Sequence, residues 1–155
     1  MKIYIGSDHA GFEMKEKLKN FLVSLNYEVE HRGAFTLDKN DDYPDFVKPV
    51  AEAVANDKNS MGIILGGSGQ GEAMCANKVK GIRCAVYYGG KGLQKDIKGK
   101  FVGMVASTRK HNNANILSLG ARFITFRRAK KAVKIFLETK FSPDERHTRR
   151  IKKID

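Results

Sequence analysis

The apolar run Gly62-Ile63-Ile64-Leu65-Gly66 passes directly into Gly67-Ser68-Gly69-Gln70-Gly71-Glu72, and helix-compatible sequence, Ala73-Met74-Cys75-Ala76-Asn77-Lys78, follows at once. A buried strand that breaks at a glycine-rich turn and restarts as a helix aims several backbone N–H groups at one point. The positive end of the helix dipole points there too, and such a point suits an anion. Gly66 and Gly71 keep the glycine spacing of a nucleotide phosphate loop, but that loop continues with Lys and then Ser or Thr. Here Glu72 and Ala73 follow. A carboxylate repels a nucleotide phosphate, so the loop is better suited to a developing oxyanion beside a general base. No Gly-x-Gly-x-x-Gly register fits, which excludes the dinucleotide fingerprint. Tight turns also use glycine simply for its positive φ, so the loop alone leaves a purely structural reading open.

Short apolar runs alternate with amphipathic stretches along the rest of the chain. Residues 2–6, Tyr27–His31, Met61–Leu65, Ile82–Tyr87 and Asn115–Leu119 read as five strands. Met14, Leu18, Phe21, Leu22 and Leu25 recur at helical spacing. Pro44 suits the first turn of a helix reaching about Asn56, and Phe126, Ala129, Ala132, Val133, Phe136 and Leu137 line one face of a longer helix. A short basic helix over roughly Asp144–Ile154 ends the pattern. Repeated strand–helix alternation predicts an α/β protein, a three-layer Rossmann-like fold with a five-stranded parallel sheet and helices on both faces. At 155 residues a single domain over 1–155 is expected.

Ligands of such folds bind beyond the carboxyl ends of the strands. That rule gathers Ser7-Asp8-His9, the glycine loop and the turn after the last strand at one edge. Asp8 at a helix start is also a common cap, and His9 beside it could be a surface residue. His111-Asn112-Asn113 also reads as a helix stop, because His favours a helix C-terminus and Asn tolerates left-handed backbone. Arg146 and Arg150 stand at i and i+4 on one helical face. Paired guanidinium forks suit phosphate, although a solvated charge run accounts for the same spacing.

Composition narrows the classes. No run of 18 apolar residues occurs, and the opening Met1-Lys2-Ile3-Tyr4-Ile5-Gly6 reads as a strand rather than a signal peptide, so a soluble, cytoplasmic protein is expected. Cys75 and Cys84 form no Cys-x-x-Cys pair, and the four histidines show no ligand spacing, so neither a disulfide framework nor a metal is expected. The net charge of +12 is uneven: residues 1–90 carry 11 Lys+Arg against 12 Asp+Glu, and residues 91–155 carry 18 against 5. Such asymmetry fits nucleic acid, an acidic partner, a phosphorylated substrate or a well-solvated helix face alike.

Taken in order, Ser7-Asp8-His9-Ala10-Gly11, Asp42-Tyr43-Pro44, Gly66 to Glu72, Ala76-Asn77-Lys78, Gly81-Ile82-Arg83, His111-Asn112-Asn113-Ala114, Gly120-Ala121-Arg122 and Arg146-His147 resemble the B-type ribose-5-phosphate isomerase family. That family also includes the galactose-6-phosphate isomerase subunits, and the resemblance covers nearly the whole chain. It implies aldose–ketose isomerisation of a sugar phosphate through an enediolate, a step of pentose phosphate metabolism, with no metal or organic cofactor. One version of the family has a cysteine base just before the loop, where this chain has Gly66. The other uses a glutamate just after it, matched here by Glu72.

By that resemblance Glu72 moves the proton between C2 and C1, and His111 helps open the furanose ring with Asp8 near the ring oxygen or hydroxyls. Ser68 and the N–H groups of Gly67, Gly69, Gln70 and Gly71 hold the enediolate oxygen. His9, Arg122, Arg146 and Arg150 grip the phosphate, with Tyr43, Asn112 and His147 lining the site. Family members form dimers or dimers of dimers with shared sites, so His111 or the C-terminal arginines are expected to serve a neighbour. One departure stands out. The stretch from Glu72 to His111 exceeds the family pattern, and the excess near 88–100, rich in glycine and lysine, reads as a mobile basic loop inserted beside the catalytic edge.

The expected substrate is ribose 5-phosphate. A six-carbon sugar phosphate, allose 6-phosphate or galactose 6-phosphate, is the rival, and the retained Asp8-His9-Ala10-Gly11 favours the pentose because the galactose 6-phosphate subunits depart from it. A basic nucleic-acid-binding module is the rival from another class. Against it, the chain has no helix-turn-helix or zinc-finger pattern and no aromatic-rich binding strand.

Overall fold

The structure is a computed structural model that describes residues 1–90, 92–95 and 99–154. The elements run β1 (Lys2–Ser7), α1 (Phe12–Ser24), β2 (Glu28–His31), α2 (Pro44–Asn56), β3 (Ser60–Gly66), α3 (Gln70–Ala76), β4 (Cys84–Tyr87), β5 (Leu93–Lys95), β6 (Phe101–Gly103), α4 (Met104–Asn112), β7 (Ile116–Gly120), α5 (Phe126–Glu138) and α6 (Glu145–Ile151). Five strands form a parallel sheet in the order β2-β1-β3-β7-β4. Its central strands pair with Ser7 opposite Leu65 and Gly66 opposite Gly120. The carboxyl ends of β1, β3 and β7 therefore finish side by side, which assembles the edge where a site can form.

Alternate strand residues go to opposite faces. Ile3, Ile5, Ile63, Leu65, Leu117 and Leu119 pack against Leu18, Leu22, Ala129, Val133 and Phe136 of α1 and α5. Tyr4, Ile64 and Ile116 face Val47, Val50, Ala51 and Val54 of α2, with Ala76 of α3. Both faces are covered, which is why these strands read as continuous apolar runs rather than as alternating ones. Each fully buried aliphatic side chain contributes about 1.5–3 kcal/mol relative to exposure.

The five expected strands and the helices around them are present. The region near 88–100 differs from its reading as a loop. Residues 91 and 96–98 lie outside the described residues, but Leu93–Lys95 pairs antiparallel with Phe101–Gly103 as a two-stranded ribbon. Three-residue strands that pair only with each other leave no apolar period to read. Helix α4 was legible only at its end, where Asn113 closes it with φ 46°.

Gly11 shows how the core positions the edge. A Cβ there would lie 2.6 Å from Leu65 Cβ and 2.9 Å from the Leu65 carbonyl carbon and oxygen. The start of α1 thus lies directly on the end of β3, carrying Asp8 and His9 to the glycine loop. Gly11→Ala is expected to cost about 1–3 kcal/mol, as overpacking against a rigid backbone does. The check is the urea unfolding midpoint, and an unchanged midpoint would contradict this packing role.

Candidate active site

The glycine loop is fastened to the neighbouring strand. Ala121 N donates to Gly66 O (2.8 Å), Arg122 N to Gly67 O (3.1 Å) and Ser118 Oγ to Gly69 O (2.7 Å). Gly69 has φ +77°, and a Cβ there would come within 3.0–3.1 Å of Leu119, Ser118 and Gly120, so this position requires glycine on both counts. Gln70 N donates to Ser68 Oγ at 3.2 Å, which turns the chain into α3.

Glu72 lies in the first turn of α3 and is buried, with 4% of its surface exposed. Its carboxylate folds back over the strand end, so that a Cβ on Gly66 would sit 1.6 Å from Glu72 Oε1. A glycine at 66 and a carboxylate at 72 are therefore one arrangement. Any side chain on 66 would expel the acid. Burial pushes the Glu72 carboxyl above the ordinary carboxylate range, and the charge of Asp8 adds to this, against a backbone hydrogen bond that lowers it.

Around this acid the fold gathers most of the expected residues. Asp8 is buried and accepts the Gly11 N–H at 3.1 Å. Tyr43, just before α2, lays its ring on the loop, where a Cβ on Gly71 would come within 3.0 Å of its hydroxyl. Arg122 places its guanidinium 3.4 Å from the position of a Cβ on Gly67. His9 is held by Asp41, whose Oδ1 accepts both the His9 backbone N–H (3.1 Å) and the ring Nδ1 (2.6 Å). Beside the loop a cavity of about 610 Å³ is lined by His9, Lys17, Lys39 and Arg122 with Glu13 as its one acid.

Asp41, Lys17 and Lys39 were not among the expected site residues. Asp41 stands beside the Asp42-Tyr43-Pro44 motif, but its bond to His9 spans 32 residues and leaves no local pattern. Asp8, His9 and Asp41 also bring ligand-type atoms within 4.8 Å of one another, a convergence that sequence spacing did not reveal. Two of those atoms are already joined by the His9–Asp41 hydrogen bond.

The remaining expected residues lie at the other end of the sheet. His111 and Asn112 close α4, which leads through Asn113 to Ile116 at the amino end of β7. Glu72 sits past the carboxyl end of β3, level with Gly120. Roughly 13 Å of strand separates these ends at about 3.3 Å per residue. His147 of α6 is buried and stacks on His111, with ring centroids 4.7 Å apart. Its Nδ1 faces Ser142 O at 3.1 Å. Arg146 and Arg150 share α6 with it, so they travel with His111 and not with Glu72.

Cys75 packs partly buried against the α2-side core, and burial pushes its thiol up. It is a packing residue, one turn beyond Glu72 and poorly suited to ionise.

Because its folded-state pKa is raised, Glu72 contributes stability that is fully present below the unfolded carboxyl value and lost as pH rises through the raised folded value. Glu72→Gln removes the charge that must be buried. This variant should therefore unfold at higher urea than the parent at pH 7.5, and the gain should shrink towards pH 4. A difference that does not vary with pH would contradict the buried, ionising carboxylate.

Residues 3–154 match the model of the Ribose/Galactose Isomerase family. The chain is 40% identical over 151 residues to ribose-5-phosphate isomerase B of Mycolicibacterium paratuberculosis, covering 97% of this chain and 87% of that one. It superposes on a ribose 5-phosphate isomerase from Thermotoga maritima with a TM-score of 0.84 and 42% identity, covering 99% and 97% of the two chains. It also superposes on ribose-5-phosphate isomerase B from Mycoplasma genitalium with bound ribulose-5-phosphate, with a TM-score of 0.85, 38% identity and 99% and 93% coverage. With a buried acid folded over a glycine loop and likeness along almost its full length, the chain belongs to the ribose/galactose isomerase family.

Proposed function

We infer that the chain is a sugar-phosphate aldose–ketose isomerase that interconverts ribose 5-phosphate and ribulose 5-phosphate through an enediolate. The carrying observation is the Glu72 carboxylate, buried at the loop and filling the space in front of Gly66. A proton next to a carbonyl is removed by a carboxylate within hydrogen-bond reach while donors meet the growing oxyanion. Glu72 takes the proton from C2 of the open aldose and returns it to C1 while the hydroxyl proton passes from O2 to O1, giving the ketose. Ser68 and the backbone of Gly67, Gly69, Gln70 and Gly71 receive the enediolate oxygen. A carboxyl tuned upward by burial suits a base that must also give its proton back. These steps use the chain's own groups and call for no metal or organic cofactor.

The phosphate goes to the cationic cavity at His9 and Arg122, with Asp41 holding the His9 ring in place. Asp8 serves the ring oxygen or hydroxyls. His111, Asn112, Arg146, His147 and Arg150 complete the site from a second copy of the chain, because within one copy they stand at the opposite end of the sheet. The working unit is a homodimer or a dimer of dimers, acting in the cytoplasm. Among the described residues no helix is long and apolar enough to cross a membrane. The pentose is favoured over allose or galactose 6-phosphate by Asp8-His9-Ala10-Gly11. Rates across a panel of five- and six-carbon aldose phosphates test this directly, and a six-carbon sugar turned over faster would overturn the assignment.

Three outcomes follow from this reading. Glu72→Gln and Gly66→Ala should each lower kcat roughly 10²–10⁴-fold, the range of a general base, whereas Cys75→Ser should keep most activity. Glu72→Gln and His111→Ala subunits, unfolded, mixed and refolded together, should recover roughly a quarter of the parent activity, since half the random dimers carry one intact site. A mixture as inactive as its components would exclude sites shared in this way. Arg146→Ala and Arg150→Ala should raise KM for the phosphorylated sugar with an almost unchanged melting temperature, and an unaltered KM in both would remove them from the phosphate site.

A further inference from the structure

The imidazole of His111 has an orienting partner that none of the family-type motifs contains. Ser107 stands one turn earlier on α4, with its Oγ 3.1 Å from His111 Nδ1. It is 9% exposed, an unusual place for a serine unless its hydroxyl is engaged. The other side of that hydroxyl is taken by the β5–β6 ribbon, where Gln94 Nε2 donates to Ser107 Oγ. The ribbon is anchored for this reach. Gly92 O accepts the Met104 N–H at 3.1 Å at the start of α4, and Leu93 and Gln94 border a small cavity of about 300 Å³ with Met104, Ser107 and Thr108.

A serine hydroxyl offers one hydrogen and two lone pairs. The Gln94 amide occupies one lone pair, which leaves the hydrogen and the second lone pair for His111. The hydroxyl accepts from Nδ1–H when the imidazole is charged and goes on accepting from it once the Nε2 proton has been given up. It holds the ring through both halves of a proton cycle. His147, stacked at 4.7 Å, restrains the face of the same ring. A histidine whose one nitrogen is fixed by a neighbour works through the other.

We propose that Ser107 and Gln94 are positioning residues for His111, so that the β5–β6 ribbon tunes the ring-opening step. This rests on the assignment of His111 to ring opening. In that step the charged imidazole gives its Nε2 proton to the ring oxygen of the sugar as the bond from C1 to that oxygen breaks. The anomeric hydroxyl releases its proton to Asp8, leaving the C1 aldehyde. Phosphate binding involves neither Ser107 nor Gln94, so their loss should appear in kcat and not in KM.

The test combines ring-nitrogen NMR of the histidine-labelled protein with steady-state kinetics on ribose 5-phosphate. His111→Ala identifies the His111 signals. Ser107→Ala should move the His111 Nδ1 resonance and leave the other histidines in place. It should lower kcat roughly tenfold, a fraction of the 10²–10⁴-fold that a general acid supplies in full, with KM unchanged within about twofold. Ser107→Thr keeps the hydroxyl and should restore both readouts, and Gln94→Ala should act in the same direction more weakly. Adding Ser107→Ala to His111→Ala should cost nothing further. An unmoved Nδ1 resonance in Ser107→Ala would overturn the contact itself. A moved resonance with unchanged kcat, while His111→Ala is slow, would overturn its catalytic consequence. Full activity in His111→Ala would instead remove the assignment of His111, and the positioning role with it.

Discussion

The carboxyl edge of the sheet is organised by a steric exclusion: the Glu72 carboxylate fills the volume that any side chain on Gly66 would need. Removing a carboxylate from water is costly, and the protein bears that cost with the charge of Asp8 close by. The acid stays because the loop leaves it nowhere else to go. Gly66 and Gly67 are tied by their carbonyls to Ala121 and Arg122, and Gly69 is tied to Ser118. Strand β7 therefore sets the position of the loop, the loop sets α3, and α3 sets the acid. Any side chain at 66, a cysteine included, would occupy the place of the acid at 72.

The sheet also parts the expected site residues between its two ends. Ser7 pairs with Leu65 and Gly66 with Gly120, which brings Asp8, His9, Arg122 and the loop together. The helix bearing His111 ends where β7 begins, so this histidine and its α6 companions face the other way. A parallel sheet forces that outcome, since the helix preceding a strand must deliver its last turn to the strand's amino end. On the proposed reading, a second copy of the chain completes the site. The β5–β6 ribbon reaches the second group, through Ser107, rather than the first.

The fold class was legible because both faces of the sheet are buried, which turns each central strand into an unbroken apolar run such as Ile63-Ile64-Leu65. The same holds for α2 and α5, whose periodic faces meet the sheet along their whole length. The ribbon of β5 and β6 was not legible, because its short strands pair with each other and bury little of their own surface. Asp41 was not legible either, since nothing local marks a partner 32 residues away from His9.

Sequence by itself determined the alternation of strands and helices, the glycine loop with an acid at its end, and which acids, histidines and arginines the chain can bring to a site. These are local or periodic properties, written in residue order. Tertiary structure alone decided that Glu72 lies against Gly66, that Asp41 holds His9, and that Ser107 Oγ stands between Gln94 and His111. It also decided that His111 and Glu72 cannot meet within one copy of the chain. Each of these depends on which strand lies beside which, and that order, β2-β1-β3-β7-β4, follows from burying both faces of the sheet at once rather than from any single segment.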